Sequence, residues 1–332
     1  MLRLPRFDVV TPETLDGVVA ALQTPGARLL AGGTDLLPNL KHRLDNPPLL
    51  VSLAGVSALT SVSVDTQASE LRVGAGVTLS ALSRSTDALT HAPSLAKAAG
   101  LVASPLIRNT ATLGGNVNLD TRCRYVNQTE FWRSAIGGCL KSEGNVCHVV
   151  PGGKNCVAAM SSDCVPVLIS LGASLELMGP NGPRRVAMSD YYTADGTRHT
   201  TREDFEVTTA VVVPLAEGAR RCGYTKWSVR GSIDYPLLSV ALRFELERDD
   251  VGADVTQVHA VVGVLGARPR IVTRLDGAVG KPLSDPAVAT AVAERVHKQC
   301  KPLDNVPYEA PYRRQMLRVH TRRAVESIVA EG

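Results

Sequence analysis

The chain has 332 residues, of which 44% are hydrophobic, 20% charged and 4% aromatic, and it carries a net charge of +4. That length buries an ample core over two or three domains, whereas the few aromatics and the mild positive excess exclude a base-stacking platform or a phosphate-tracking stripe for nucleic acid. No apolar run approaches a bilayer span and the opening MLRLPRFDVV enters a strand-like pattern directly, so a soluble, cytoplasmic protein with no membrane partner is expected.

In chain order, residues 6–10 read as extended, Thr11-Pro12 as a helix start, and Pro25-Gly26 as its end before the apolar run 28–31. Residues 36–44 follow as a helix with Asp35 at its N-cap, and a third strand at 49–53 closes a first unit, 1–57. From about residue 58 short strands (61–64, 70–75) alternate with Ala-rich helices (79–83, 94–99), and a helix at 163–171 precedes a strand at 174–178. Between them, 121–161 is a polar stretch too long for an idle loop. Past a boundary near 215–219, segments 221–229, 237–247 and 255–265 alternate as antiparallel strands, followed by helices near 285–300 and 311–330. The predicted units are thus 1–57, 58–217 and 218–332, with an α+β character.

Two paired glycines stand between a strand and a helix, Gly32-Gly33 and Gly114-Gly115. Such loops let backbone approach a ligand closely and aim free N–H groups at an anion such as pyrophosphate, although a plain tight turn uses the same residues. Neither place carries the G-x-G-x-x-G of a Rossmann domain. The sequence Leu29-Leu30-Ala31-Gly32-Gly33-Thr34-Asp35-Leu36, then Thr112-Leu113-Gly114-Gly115-Asn116, Ser162-Asp163, residues 226–230 (KWSVR) and the closing 312–314 and 322–324 resembles, in order and over nearly the whole chain, the FAD-binding subunit of the molybdenum hydroxylase family. The resemblance implies two α+β subdomains clasping FAD, of the vanillyl-alcohol oxidase/PCMH type, plus a C-terminal sheet-and-helix domain. It further implies that Leu29–Leu36 and Thr112–Asn116 cradle the FAD pyrophosphate, that Asp163 meets the ribityl side, that Lys226 lies near the isoalloxazine and that Val102 lines the flavin pocket. From residue type alone Asp163 could equally cap its helix and Lys226 could be a solvated strand residue.

Seven cysteines in a reducing compartment are not a disulfide framework, and their placement is uneven. Cys123, Cys139, Cys147 and Cys156 stand as C-x15-C-x7-C-x8-C inside a segment where the family pattern has only a short connection, while Cys164, Cys222 and Cys300 read as packing residues. The spacing matches neither zinc knuckles nor ferredoxins, so a [4Fe–4S] cluster, a Zn²⁺ ion and unliganded thiols all stay open from spacing, and the flavoprotein context favours the cluster. Gly137-Gly138, Gly144 and Gly152-Gly153 would let the chain wrap a compact centre, and Tyr125, Phe131 and Trp132 would shield it. An iron–sulfur insertion in the flavin subunit resembles the 4-hydroxybenzoyl-CoA reductase branch. That branch implies a large molybdenum subunit, a small [2Fe–2S] subunit, a ferredoxin-like donor and a dimer of heterotrimers; the alternative is an oxidative hydroxylase with structural zinc.

Arg122, Arg124, Arg133, Lys141 and Lys154 outnumber Glu130 and Glu143 there, predicting a basic face for an acidic donor. With no Ser-His-Asp, H-E-x-x-H or P-loop pattern, no catalytic residue for substrate turnover is expected on this chain.

Overall fold

The computed structural model describes residues 2–331 and forms three sheets. The first is small and parallel, in the order β1 (Asp8–Val10), β3 (Leu49–Ser52), β2 (Arg28–Leu30). Its crossovers are α1 (Leu15–Ala21), N-capped by the Thr14 hydroxyl, and α2 (Leu36–Lys41). The predicted strand–helix–strand opening is present, but α2 stops at Lys41 because Arg43 turns at φ 57°.

The second sheet is antiparallel throughout: β4 (Val62–Asp65), β5 (Glu70–Gly74), β8 (Val207–Pro214), β6 (Ser174–Gly179) and β7 (Gly182–Ala187). Its central β8, VTTAVVVP, reads as continuously apolar because helices and neighbouring sheets leave it no solvent face; every residue through Val213 is buried. Short helices α3 (Leu79–Leu82), α4 (Thr86–His91), α5 (Pro93–Gly100), α6 (Pro105–Arg108), α7 (Leu113–Val117), α9 (Cys164–Ser170) and α10 (Met188–Tyr191) accompany this sheet, while α8 (Glu130–Ala135) lies in the cysteine-bearing segment and reaches the end of α2. Ser or Thr hydroxyls cap α3, α4, α6, α7 and α8, which keeps such short helices from fraying.

The third sheet, antiparallel in the order β12 (Arg270–Val272), β11 (Val255–Gly263), β10 (Leu238–Leu246), β9 (Arg220–Trp227), is covered by α11 (Pro286–Gln299) and α12 (Ala310–Glu331). Helix α12 lies against β9 so closely that a Cβ on Gly223 would meet Ile328 Cγ1 at 2.5 Å. No helix among the described residues is long and apolar enough to cross a membrane.

Helix α9 joins the second and third sheets. Pro166 approaches Gly263 of β11, while Val165, Val167 and Leu168 enter the core shared with β5, β6 and β8. Cys164 belongs to that core, fully buried, and Cys300 to the core beneath α11 and α12, as their isolated spacing predicted; Cys222 is half-buried against the first of these cores.

Candidate functional site

The first glycine loop follows β2, and Leu29 through Leu36 are all half-exposed. A Cβ on Gly32 would lie 2.0 Å from the Thr110 carbonyl oxygen, so only glycine lets this loop sit against the segment that enters the second one. Gly33 turns the chain at φ 68°. Among the described residues, the amides of Gly32, Gly33, Thr34 and Asp35 donate to no acceptor in the chain. Four outward donors at a helix start are the chemistry an anionic pyrophosphate needs, so the loop fits FAD. Asp35 occupies the N-cap position but makes no cap bond, contrary to the sequence reading. Its carboxylate instead pairs with Arg122 and accepts from the Tyr235 hydroxyl at 3.1 Å and from Asn39 Nδ2 at 3.1 Å.

The second loop is built differently. Leu113 N and Gly114 N donate inward to Val77 O (2.9 Å) and Ala75 O (2.8 Å), and Gly115 N to the Thr112 hydroxyl (3.0 Å). Thr112, Leu113, Gly114 and Asn116 are buried, leaving Gly115 as the exposed face. Gly114 is required by packing, since a Cβ there would meet Ala75 Cβ at 2.7 Å. The Asn116 carbonyl oxygen accepts from the Ser162 hydroxyl at 2.6 Å and from Cys164 N at 3.3 Å, so this side chain ties the loop to the start of α9.

Asp163, Lys226 and Val102 converge. The Asp163 carboxylate accepts from the Tyr224 hydroxyl (2.7 Å) and Lys226 Nζ (3.2 Å), and Lys226 also donates to the Leu101 carbonyl (3.0 Å). The two charged side chains are 3% and 8% exposed, so Asp163 is no helix cap and Lys226 no solvated residue. Burial pushes the Asp163 carboxyl up to about 6 against the pull of Lys226 and the Tyr224 hydroxyl. Val102 is half-buried beside them, its carbonyl accepting from Arg108 at 2.6 Å. Ile233 N and Ser232 Oγ both donate to Ala103 O, so the 228–236 loop closes over the same segment and adds Val229 and Ile233 to an apolar rim with Leu101, Leu106 and Ile107. Sequence reasoning did not single out Tyr224, Tyr235 or this rim, because their roles arise from segments meeting across 61 to 200 residues.

The 121–161 segment leaves and rejoins the fold at one place: Arg122 and Ala159 pair backbone to backbone at 2.8 and 2.6 Å. Within it Cys123, Cys139, Cys147 and Cys156 line one small cavity, together with Tyr125, Val126, Lys141 and His148. Backbone amides face the sulfurs: Val150 N lies 3.4 Å from Cys147 Sγ, Ala158 N 3.5 Å from Cys156 Sγ, and Cys123 receives the amides of Tyr125 and Val126. Burial pushes the Cys123 thiol up to about 11, the other cysteines adding to the rise, and Cys156 is raised for the same first reason. Gly196 leaves room for sulfur, since its Cβ would sit 2.9 Å from Cys156 Sγ. Yet among the described residues no three His, Cys, Asp or Glu side chains stand close enough to hold one metal ion.

Two expectations for this segment are corrected. Phe131 is 85% exposed and shields nothing; Tyr125 does the covering, with the His148 ring stacked on it at 5.1 Å and Trp132 at 6.3 Å. The basic docking face is also absent. Arg122 is held by Asp35 and Arg133 is buried on three carbonyls. Lys141 binds Asp120 (2.5 Å) and the Gly196 carbonyl (2.8 Å), and Arg124 reaches Val306 O. Lys154 alone of the five stays exposed without a side-chain partner among the described residues, because the chain used the other cations to satisfy its own oxygens.

A half-exposed glycine loop with free amides on a small parallel sheet, beside a helix-flanked antiparallel sheet, is the arrangement of a two-subdomain FAD-binding protein. Residues 5–216 match the FAD binding domain in molybdopterin dehydrogenase, and residues 224–328 the CO dehydrogenase flavoprotein C-terminal domain. The chain belongs to the FAD-binding medium subunits of the molybdenum hydroxylase family. It is 33% identical to the aldehyde oxidoreductase FAD-binding subunit of Escherichia coli, over 68% of this chain and 73% of that one. It is 30% identical to the carbon monoxide dehydrogenase medium chain of Afipia carboxidovorans, over 98% of both. The solved reconstituted CO dehydrogenase from Oligotropha carboxidovorans superposes with a TM-score of 0.79 at 25% identity, covering 99% of this chain and 100% of that one.

Proposed function

We propose that this chain is the FAD and iron–sulfur electron-transfer subunit of an oxidative molybdenum enzyme, with Cys123, Cys139, Cys147 and Cys156 as ligands of one [4Fe–4S] cluster. The observation that carries this reading is the convergence of those four thiols on the lining of a single cavity. A tetrahedral zinc needs its sulfurs about 2.3 Å from one point, whereas a cluster needs them around a larger body, and amide donors to the sulfurs suit it further. Flavin accepts and releases electrons singly or in pairs and a cluster one at a time, which makes the pair an electron relay.

In this reading the chain's own residues hold and tune. The Gly32–Asp35 amides bind pyrophosphate, and Gly115 supplies the facing contact. The Asp163–Lys226 pair with the Val102 carbonyl segment forms a polar, water-poor wall for the flavin ring, rimmed by Leu101 and Ile233. The Lys141 ammonium, anchored in the wall of the cysteine cavity, favours thiolate over thiol at Cys156. The division 1–57, 58–217 and 218–332 goes with this reading, as do a large molybdenum subunit and a small [2Fe–2S] subunit as partners.

The relatives above are named for oxidation of aldehydes and carbon monoxide, which favours an oxidative reaction over the reductive dehydroxylation of 4-hydroxybenzoyl-CoA. That reductive reading is the second one, favoured by the cysteine segment, and a ferredoxin donor belongs to it alone.

Iron and acid-labile sulfide analysis with low-temperature electron paramagnetic resonance of the dithionite-reduced subunit tests the assignment. Four iron and four sulfide per chain, lost on serine replacement of the four cysteines, are expected; stoichiometric zinc without sulfide overturns it.

A further inference from the structure

We propose that Arg122 and Arg133 are positioning residues that clamp the two ends of α2, so that filling the four-cysteine centre and binding FAD at Gly32–Asp35 assist each other. This rests on the iron–sulfur reading of the cysteines.

Helix α2 has six residues, too few to persist without outside support, and it carries the Gly32–Asp35 loop at its start. At that start, the Arg122 guanidinium pairs with Asp35 and donates to the Tyr235 hydroxyl at 2.7 Å while lying 4.4 Å above the Tyr235 ring. Both contacts are made through Nη2, and its Nε is buried without a partner among the described residues. At the other end, Arg133 is 1% exposed and donates to His42 O (2.9 Å), Arg43 O (2.9 Å) and Gln128 O (2.6 Å). A cation on the last carbonyls of a helix also complements its dipole. Both arginines come from the cysteine segment. Arg122 adjoins Cys123, and the Arg133 carbonyl receives Gly138 N, next to Cys139, at 2.9 Å.

That segment cannot hold its own shape. Between residues 123 and 156 the buried apolar side chains are Val126, Cys139 and Cys156, far too few to offset the ordering of so much backbone. Beyond its polar anchors on the rest of the chain, the cross-link its sulfurs would make adds the remaining order, as in small metal-stapled domains. The clamp is therefore set when the centre is filled and loose when it is empty, and the FAD loop at the other side of α2 shares that difference. By linkage, FAD must then favour the filled centre by the same factor.

The test measures the FAD dissociation constant of the full chain by flavin fluorescence, with the centre loaded and after iron removal by chelator. A roughly tenfold weaker affinity in the iron-free chain is expected, within the usual range of coupling between sites. Arg122→Met is expected to keep its iron and sulfide yet bind FAD with the weak constant in both states, and Arg122→Lys to recover part of the difference. Equal FAD affinity of loaded and iron-free wild type, or full dependence on loading in Arg122→Met, overturns the clamp. Should the purified chain carry no iron or sulfide, the cluster reading fails by itself. The clamp is then still read by Arg122→Met against wild type, where unchanged FAD affinity overturns it and a tenfold loss upholds the Arg122 arm.

Discussion

Gly32 and Asp163 show how single residues hold this site together. Gly32→Ala would press a methyl into the Thr110 carbonyl, parting the two loops at an overpacking cost of roughly 1–3 kcal/mol; the expected outcome is folded protein purified with little FAD, read from its flavin absorbance. Asp163 binds its proton more tightly folded, at about 6, than unfolded, at the ordinary 3.8 of an exposed aspartate. Its contribution to stability is therefore greatest below pH 4 and falls by roughly 3 kcal/mol as the pH rises through 6. Thermal melts from pH 4 to 7 should lose that downward slope in Asp163→Asn. Lys226→Met should cost about 3–5 kcal/mol at pH 7 by leaving a buried carboxylate without its cation, and adding Asp163→Asn should restore much of it. The sequence named both residues through a resemblance, but their pairing was invisible, since 63 residues separate them and only the packing of α9 on the third sheet brings them together.

At the scale of elements, strongly patterned segments were readable and the cysteine segment was not. Strands β9, β10 and β11 and helices α11 and α12 alternate or repeat clearly enough to be placed within a residue or two. Strand β8 escaped, because a run buried on both faces has no period to detect. In the cysteine segment, α8 rests on a Thr129 cap and on Arg133 reaching another element, neither of which leaves a hydrophobic stripe. The charge count misled there for the same reason, as it could not show which cations were already engaged. The raised thiols of Cys123 and Cys156 must release protons on binding iron. Cluster uptake by the iron-free chain should therefore tighten steadily between about pH 6 and 9, measured by reconstitution at fixed iron and sulfide.

The molecule as a whole depends on a few long-range polar hubs between its sheets. Arg313, fully buried at the start of α12, donates to Leu237 O (3.0 and 2.8 Å), Leu303 O (2.7 Å) and Val264 O (2.5 Å), gathering three loops of the third sheet. Burial lowers its guanidinium to about 10, so it remains charged at neutral pH. Arg313→Met strands those carbonyls, and a stability loss of about 3–5 kcal/mol is expected, seen as a melting temperature lower by roughly 10 °C. The Arg-rich ending that helped mark the family in the sequence is, at this position, a fastening of the fold and not a contact for a ligand.

The meeting of Arg122 with Ala159 has a broader consequence. Because the cysteine-bearing excursion departs and comes home through a single doorway, its two ends lie side by side, close enough for a short turn to join them. A relative of this shape needs only a short turn at that spot to be a flavoprotein alone, and one splice there to gain a second redox centre. The cysteine-bearing stretch is thus an outgrowth from one point of the architecture, fastened back to it by Arg122 and Arg133.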